Sequence, residues 1–106
     1  MADIDFDLIA APEPGRVRLT LRGELDLGTA GRLERALEEY DGPVLLDLRA
    51  LTFMDSTGIR VLLEASEVAA REGRALSVLA PAAGDARLII EETGIAQLLP
   101  LAEESA

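Results

Sequence analysis

From Asp3 to Ile9 the chain alternates strictly, with Ile4, Phe6 and Leu8 on one side and Asp3, Asp5 and Asp7 on the other. That period of two predicts a half-buried strand. Pro12-Glu13-Pro14-Gly15 is a turn by composition, and Arg16 to Arg22 then alternates again, with Val17, Leu19 and Leu21 apolar and Arg16, Arg18 and Arg22 outward. The two runs pair as an antiparallel hairpin. An acidic face beside a basic one lets each Asp meet an Arg across the ladder, each pair adding about 0.2–1 kcal/mol.

After Gly23-Glu24-Leu25-Asp26 breaks the alternation, the period changes. Gly28-Thr29 offers an N-cap, and Ala30, Leu33, Leu37 and Tyr40 recur at helical spacing until Gly42-Pro43. Glu24 and Asp26 fall in the loop before this helix, where turn chemistry and helix-dipole pairing explain them as well as a partner contact does. Val44 to Leu48 is nearly continuous in apolar character, as in a central strand covered on both faces, with Asp47 close to its end. Arg49 to Thr52 reads as a connection. A second helix comes next, with Ile59, Leu62, Leu63, Ser66, Ala69 and Ala70 on its apolar face, Arg60–Glu64 and Glu67–Arg71 as i,i+4 pairs, and Gly73 as its stop. Ala75 to Ala80 is a short buried strand, Ala83 to Thr93 a third helix closed by Gly94, and Ile95 to Leu101 a turn leading to an edge strand. The order β-β-α-β-α-β-α-β predicts a single α/β domain over residues 1–106, with residues 102–106 a frayed tail. Its sheet is mixed but mostly parallel, with an N-terminal antiparallel hairpin and helices following strands.

Between the central strand and the second helix stands Phe53-Met54-Asp55-Ser56-Thr57-Gly58. This places Ser56 in the first turn of a helix, at the carboxyl end of a strand, where open α/β sheets meet their ligands and partners. A lone Ser there is a helix cap, worth about 1 kcal/mol. Three consecutive capping residues exceed what one helix needs.

Composition narrows the chemistry. The chain has no Cys, His or Lys, and all ten basic residues are Arg. Cysteine nucleophiles, histidine-based triads, His or Cys metal sites, P-loop lysines and Schiff bases are thereby excluded, and no catalytic group, metal or cofactor is expected. A carboxylate-dependent hydrolase using Asp55 or Asp26 is the residual enzymatic alternative. The net charge of −10 argues against nucleic acid or an anionic membrane as partner. No run is apolar and long enough to span a bilayer, so the cytoplasm is the expected compartment.

Four stretches carry a family resemblance: Leu21-Arg22-Gly23-Glu24-Leu25-Asp26, Val44-Leu45-Leu46-Asp47-Leu48, Leu51-Thr52-Phe53-Met54-Asp55-Ser56-Thr57-Gly58-Ile59, and Arg87-Leu88 through Thr93-Gly94-Ile95. In this order the chain resembles the STAS domain, in particular the stand-alone anti-sigma factor antagonists of bacteria; Met-Asp-Ser-Thr-Gly is the specific element. The resemblance implies a regulatory protein that controls sigma factor availability, and hence transcription, rather than an enzyme. It implies that Ser56 is phosphorylated by an anti-sigma factor with serine kinase activity and reset by a phosphoprotein phosphatase, with Thr57 the second-choice acceptor. Glu24, Asp26, Asp55, Ser56, Thr57 and Gly58 are the implied partner surface. The alternative within the family is a non-switching scaffold or a subunit of a larger regulatory or transport complex, in which Ser56 only caps a helix.

Overall fold

The structure is a computed structural model and describes residues 6–102. Asp3, Ile4 and Asp5 of the first predicted strand lie outside the described residues. β1 (Phe6–Glu13) and β2 (Arg16–Leu25) form the antiparallel hairpin. Glu13 pairs with Arg16, so the turn is only Pro14-Gly15, with Gly15 at φ 78°, and Pro12 and Glu13 belong to the strand. An edge strand tolerates that proline because its outer N–H groups have no ladder partner. Of the three Asp residues expected to meet an Arg across the ladder, only Asp7 is described; it stands opposite Arg22 in the register, without an ion pair between the two. Glu13 takes both Arg16 (2.9 Å) and Arg18 (2.6 Å), and these guanidiniums hold its carboxyl below the usual range.

α1 (Ala30–Glu38) leads to β3 (Val44–Met54), α2 (Ser56–Glu72) to β4 (Leu76–Leu79), and α3 (Gly84–Thr93) to a 3-10 helix (Ile95–Leu98). Sheet order is β1-β2-β3-β4, with β2–β3 and β3–β4 parallel. The expected last strand is reduced to one bridge, Val78 to Leu101. Ala102, expected to belong to a frayed tail, donates its amide to Val78 O at 2.9 Å. α1 ends at Glu38, before Gly42, because its last amides turn back onto Ala36 and Leu37. α2 and α3 do end on left-handed glycines, Gly73 and Gly94.

The largest departure is β3. Arg49 to Thr52 is strand rather than connection, and β2 likewise runs on through Glu24 to Leu25. Two register irregularities, at Thr20/Arg22 and Gly23/Glu24, keep the strands paired to Leu25↔Met54. Such bulges bend a strand and re-aim the residues beyond them; the Thr52 hydroxyl donates to Gly23 O (3.1 Å) across the second one. Leu51 and Met54 are consequently buried.

Alternation along β3 sorts the two faces. Leu46 and Leu48 join one core cluster with Leu19, Leu21, Leu33, Val61, Leu62 and Ile90, drawn from strands and all three helices. α2 gives Val61 and Leu62 to it and also buries Gly58 and Ala69, while Ile59 and Leu63 are only half-buried and Ala70 is exposed. Arg60 and Glu64 pair as expected (2.7 Å), whereas Glu67 and Arg71 do not reach ion-pair distance. Asp47 is not near a strand end: it sits mid-strand on the opposite face, 5% exposed, between Arg18 (2.8 Å) and Arg49 (2.9 and 2.8 Å). Hydrogen bonding by Arg49 holds its carboxyl below the usual range against the opposing effect of burial.

Two measurements check this arrangement. Leu46→Ala and Leu62→Ala are each expected to cost roughly 2–5 kcal/mol in urea denaturation, and exposed Arg71→Ala nearly nothing. Losses below about 1 kcal/mol for both leucines would contradict the core. Asp47 is more acidic folded than unfolded, so its contribution is complete above the unfolded value of about 3.9 and is lost as pH falls through the folded one. The stability gap between the parent and Asp47→Asn should therefore be widest near neutrality and narrow below about pH 4. A gap independent of pH would contradict the ion cluster.

Candidate functional site

Bulged β2 and β3 end side by side at Leu25 and Met54, and both strand-to-helix junctions leave from there. Asp55 joins them. Its backbone is extended, and its Oδ1 accepts from the amides of Thr57 (2.9 Å) and Gly58 (3.1 Å), so Asp55 is the N-cap of α2. Its Oδ2 accepts from the amide of Leu27 (3.2 Å) in the other loop, and its own amide donates to Leu25 O (3.2 Å). One carboxylate thereby satisfies two helix-end donors and pins the neighbouring turn.

Gly58 makes this approach possible. A Cβ there would stand 2.6 Å from Leu25 O and 2.8 Å from Met54 Cγ, so α2's first turn rests directly on the strand ends. The conformational freedom of glycine is not the reason; the space is.

Asp26 organises the facing loop. Its Oδ1 accepts from Gly28 N (2.9 Å) and Thr29 N (3.2 Å), while the Thr29 hydroxyl donates to Glu24 O (2.8 Å) and accepts from Asp26 N (2.9 Å). Thr29 stands at the N-cap position of α1 but spends its hydroxyl inside the turn rather than on the helix. Glu24 lies in β2, opposite Phe53, instead of in the loop, and among the described residues its carboxylate has no ion-pair or hydrogen-bond partner.

Ser56 is the first residue of α2 and is exposed; among the described residues its hydroxyl makes no hydrogen bond. Thr57 is half-buried, with its amide committed to Asp55. The cap that sequence alone allowed to Ser56 therefore belongs to Asp55. Of the six residues named for the site, Asp55, Ser56, Thr57 and Gly58 are contiguous at this junction. Asp26 is brought beside them through Leu27, and Glu24 sits along the β2–β3 ladder opposite Phe53.

Two features were not read from the sequence. Leu27, whose amide Asp55 holds, is 79% exposed, an apolar side chain presented on a pinned turn. Ser56 also opens onto a groove of about 620 Å³ floored by Ile59, Leu63 and Leu98 and edged by Arg60, Glu64 and Glu67. The signal for the groove was the breadth of α2's apolar face, too wide for the sheet alone to cover. Among the described residues no three His, Cys, Asp or Glu side chains are grouped to hold a metal, and no helix is long and apolar enough to cross a membrane.

A family model described as "Mlab, STAS domain" matches residues 10–100. The chain is similar to a crystal structure of an anti-sigma factor antagonist from Mycobacterium paratuberculosis, with 26% identity over 98% of this chain and 92% of that one and a TM-score of 0.74. It shares its fold with the anti-sigma factor antagonist SpoIIAA in its unphosphorylated form, at 18% identity over 94% of this chain and 89% of that one, TM-score 0.69. In the crystal structure of Mglu, 69% of this chain matches 19% of the other, at 26% identity and TM-score 0.64. The chain thus spans about a fifth of the Mglu chain.

Substitutions at the junction should separate packing from capping. Gly58→Ala is expected to cost roughly 1–3 kcal/mol, because backbone and not a flexible side chain stands in the way. Asp55→Ala should cost about 1–2 kcal/mol and Asp55→Asn less, since the amide oxygen still caps. Chemical denaturation measures all three; a silent Gly58→Ala would contradict the close contact.

Proposed function

The chain belongs to the STAS domain family, and from that premise we propose that it is an anti-sigma factor antagonist switched by phosphorylation of Ser56. The observation that carries the proposal is the exposed hydroxyl of Ser56, relieved of capping by Asp55. A side chain with no structural duty can be modified without cost to the fold. The partner is an anti-sigma factor with serine kinase activity, acting in the cytoplasm; the γ-phosphoryl of ATP passes to Oγ of Ser56, the hydroxyl proton leaves to a base of the kinase, and ADP departs. A phosphoprotein phosphatase hydrolyses the ester and restores the binding form.

In the unmodified state the partner rests on the surface formed by Ser56, Thr57, Asp55, the Asp26–Gly28 turn and Glu24, with Leu27 as its apolar contact. Phosphorylation adds about −1.5 to −2 charge at its centre, beside Asp55. Enclosing that charge unpaired against the partner costs several kcal/mol, and each 1.4 kcal/mol is tenfold in affinity. The partner is released and binds its sigma factor again. The protein performs no catalysis of its own in this scheme, and needs no cofactor.

The alternative reading is a non-switching subunit of a larger complex, in which the exposed Ser56 hydroxyl carries no modification. The two readings diverge at Ser56. The test is incubation of the purified protein with candidate anti-sigma kinases and ATP, followed by intact mass and calorimetric titration. One phosphate is expected on the parent and none on Ser56→Ala, which should bind the partner permanently. Ser56→Asp and the phosphorylated parent should bind at least tenfold more weakly. Because Asp55 is the cap, Ser56→Ala should also stay within about 0.5 kcal/mol of the parent in stability. Equal affinity of phosphorylated and unmodified protein would end the switch and leave the subunit reading.

A further inference from the structure

Ser56, Arg60 and Glu64 occupy successive i,i+4 positions of α2 and line the same groove. Arg60 Nη1 donates to Glu64 Oε1 at 2.7 Å, and both side chains are more than half exposed. In this pair the base precedes the acid, the poorer of the two orientations at that spacing. Helical side chains also lean toward the N-terminus, which carries Arg60 toward Ser56. An exposed pair so arranged contributes little and exchanges readily.

A phosphoryl group on Ser56 would enter surroundings short of donors. The amides of Thr57 and Gly58, which an anion at this helix end would ordinarily use, are taken by Asp55 Oδ1. The Asp55 carboxylate adjoins the site. Glu24 and Asp26 add negative charge from β2 and the turn after it, Glu64 and Glu67 add it from α2, and the 3-10 helix contributes no charged side chain. Among the described residues Arg60 is the only cation lining the groove.

We propose that Arg60 is the intramolecular counter-ion of a phosphoryl group on Ser56, its guanidinium leaving Glu64 and closing on the phosphate one turn back. The inference rests on Ser56 as the phosphoacceptor and adds how the modified state is held. A dianion with three acceptor oxygens is a stronger partner for a guanidinium than one carboxylate. The new pair also has the acid ahead of the base, the favoured order. Regulation is affected in two ways. The exchange uncovers Glu64, so the charge change reaches a second turn along the groove, and the phosphate is shielded from hydrolysis.

The test uses the full chain with phosphoserine inserted at position 56 during translation, so no kinase is needed. Phosphorus NMR then tracks the phosphate through its second ionisation. Arg60→Gln is expected to raise that pKa by roughly half a unit or more, and to speed dephosphorylation by alkaline phosphatase several-fold. Arg71→Gln, an equal charge change further along α2, should leave both unchanged. Circular dichroism of each variant confirms the fold, since both arginines are exposed. Superimposable titrations for the parent and Arg60→Gln, or equal shifts for Arg60→Gln and Arg71→Gln, would overturn the counter-ion. That failure would leave the kinase assay on Ser56 untouched; conversely, no phosphate transfer by any anti-sigma kinase, with the NMR shift intact, would sink the switch and not the pairing.

Discussion

The Asp55 carboxylate is the interaction on which the site depends. Its two oxygens hold the first amides of α2 and the Leu27 amide of the neighbouring loop, so both junctions at the strand ends are fixed through one side chain. The contact works only because Gly58 lets the helix settle onto Leu25 and Met54. Without that approach the donors and the carboxylate would not converge. The bulges in the β2–β3 ladder prepare it, since they carry both strands on to a common end.

What this arrangement does for function is to divide labour among adjacent residues. Asp55 bears the structural load and Gly58 the packing, which leaves Ser56 exposed on a rigid platform with Leu27 and the groove beside it. The proposed switch would act on charge and shape at a surface rather than on the fold. On the opposite face of the sheet, Arg18, Asp47 and Arg49 form a separate ion cluster that belongs to stability and not to the site.

The sequence made the hairpin, three helices, parallel core and leading role of residues 53–58 legible through two clear periods and one dense run of capping residues. The length of β3 was hidden because Arg49, Ala50 and Thr52 are exposed, and a polar half-face after a buried run reads as a connection. Asp47 looked terminal for a related reason: its partners are one neighbour, Arg49, and one residue from another strand, Arg18, a pairing that periodicity does not encode. The choice of Asp55 over Ser56 as cap turns on one residue of helix boundary, where capping preferences do not discriminate. Leu27 was passed over because its neighbours Asp26, Gly28 and Thr29 mark a turn, and a turn predicts exposure without saying what is exposed. The proposed role of Ser56 as phosphoacceptor came from family resemblance; the residues alone gave only a surplus of caps.

The central claim is that phosphorylation of Ser56 changes the surface while Asp55 keeps the junction in place. Residue-resolved amide hydrogen exchange, on the unmodified and the Ser56-phosphorylated protein, tests it most directly. Protection of the Leu27, Thr57 and Gly58 amides is expected to be the same in both states to within a few-fold, because their shared acceptor is Asp55. Loss of protection at these three amides on phosphorylation would show that the switch works by opening the junction, and would contradict the account.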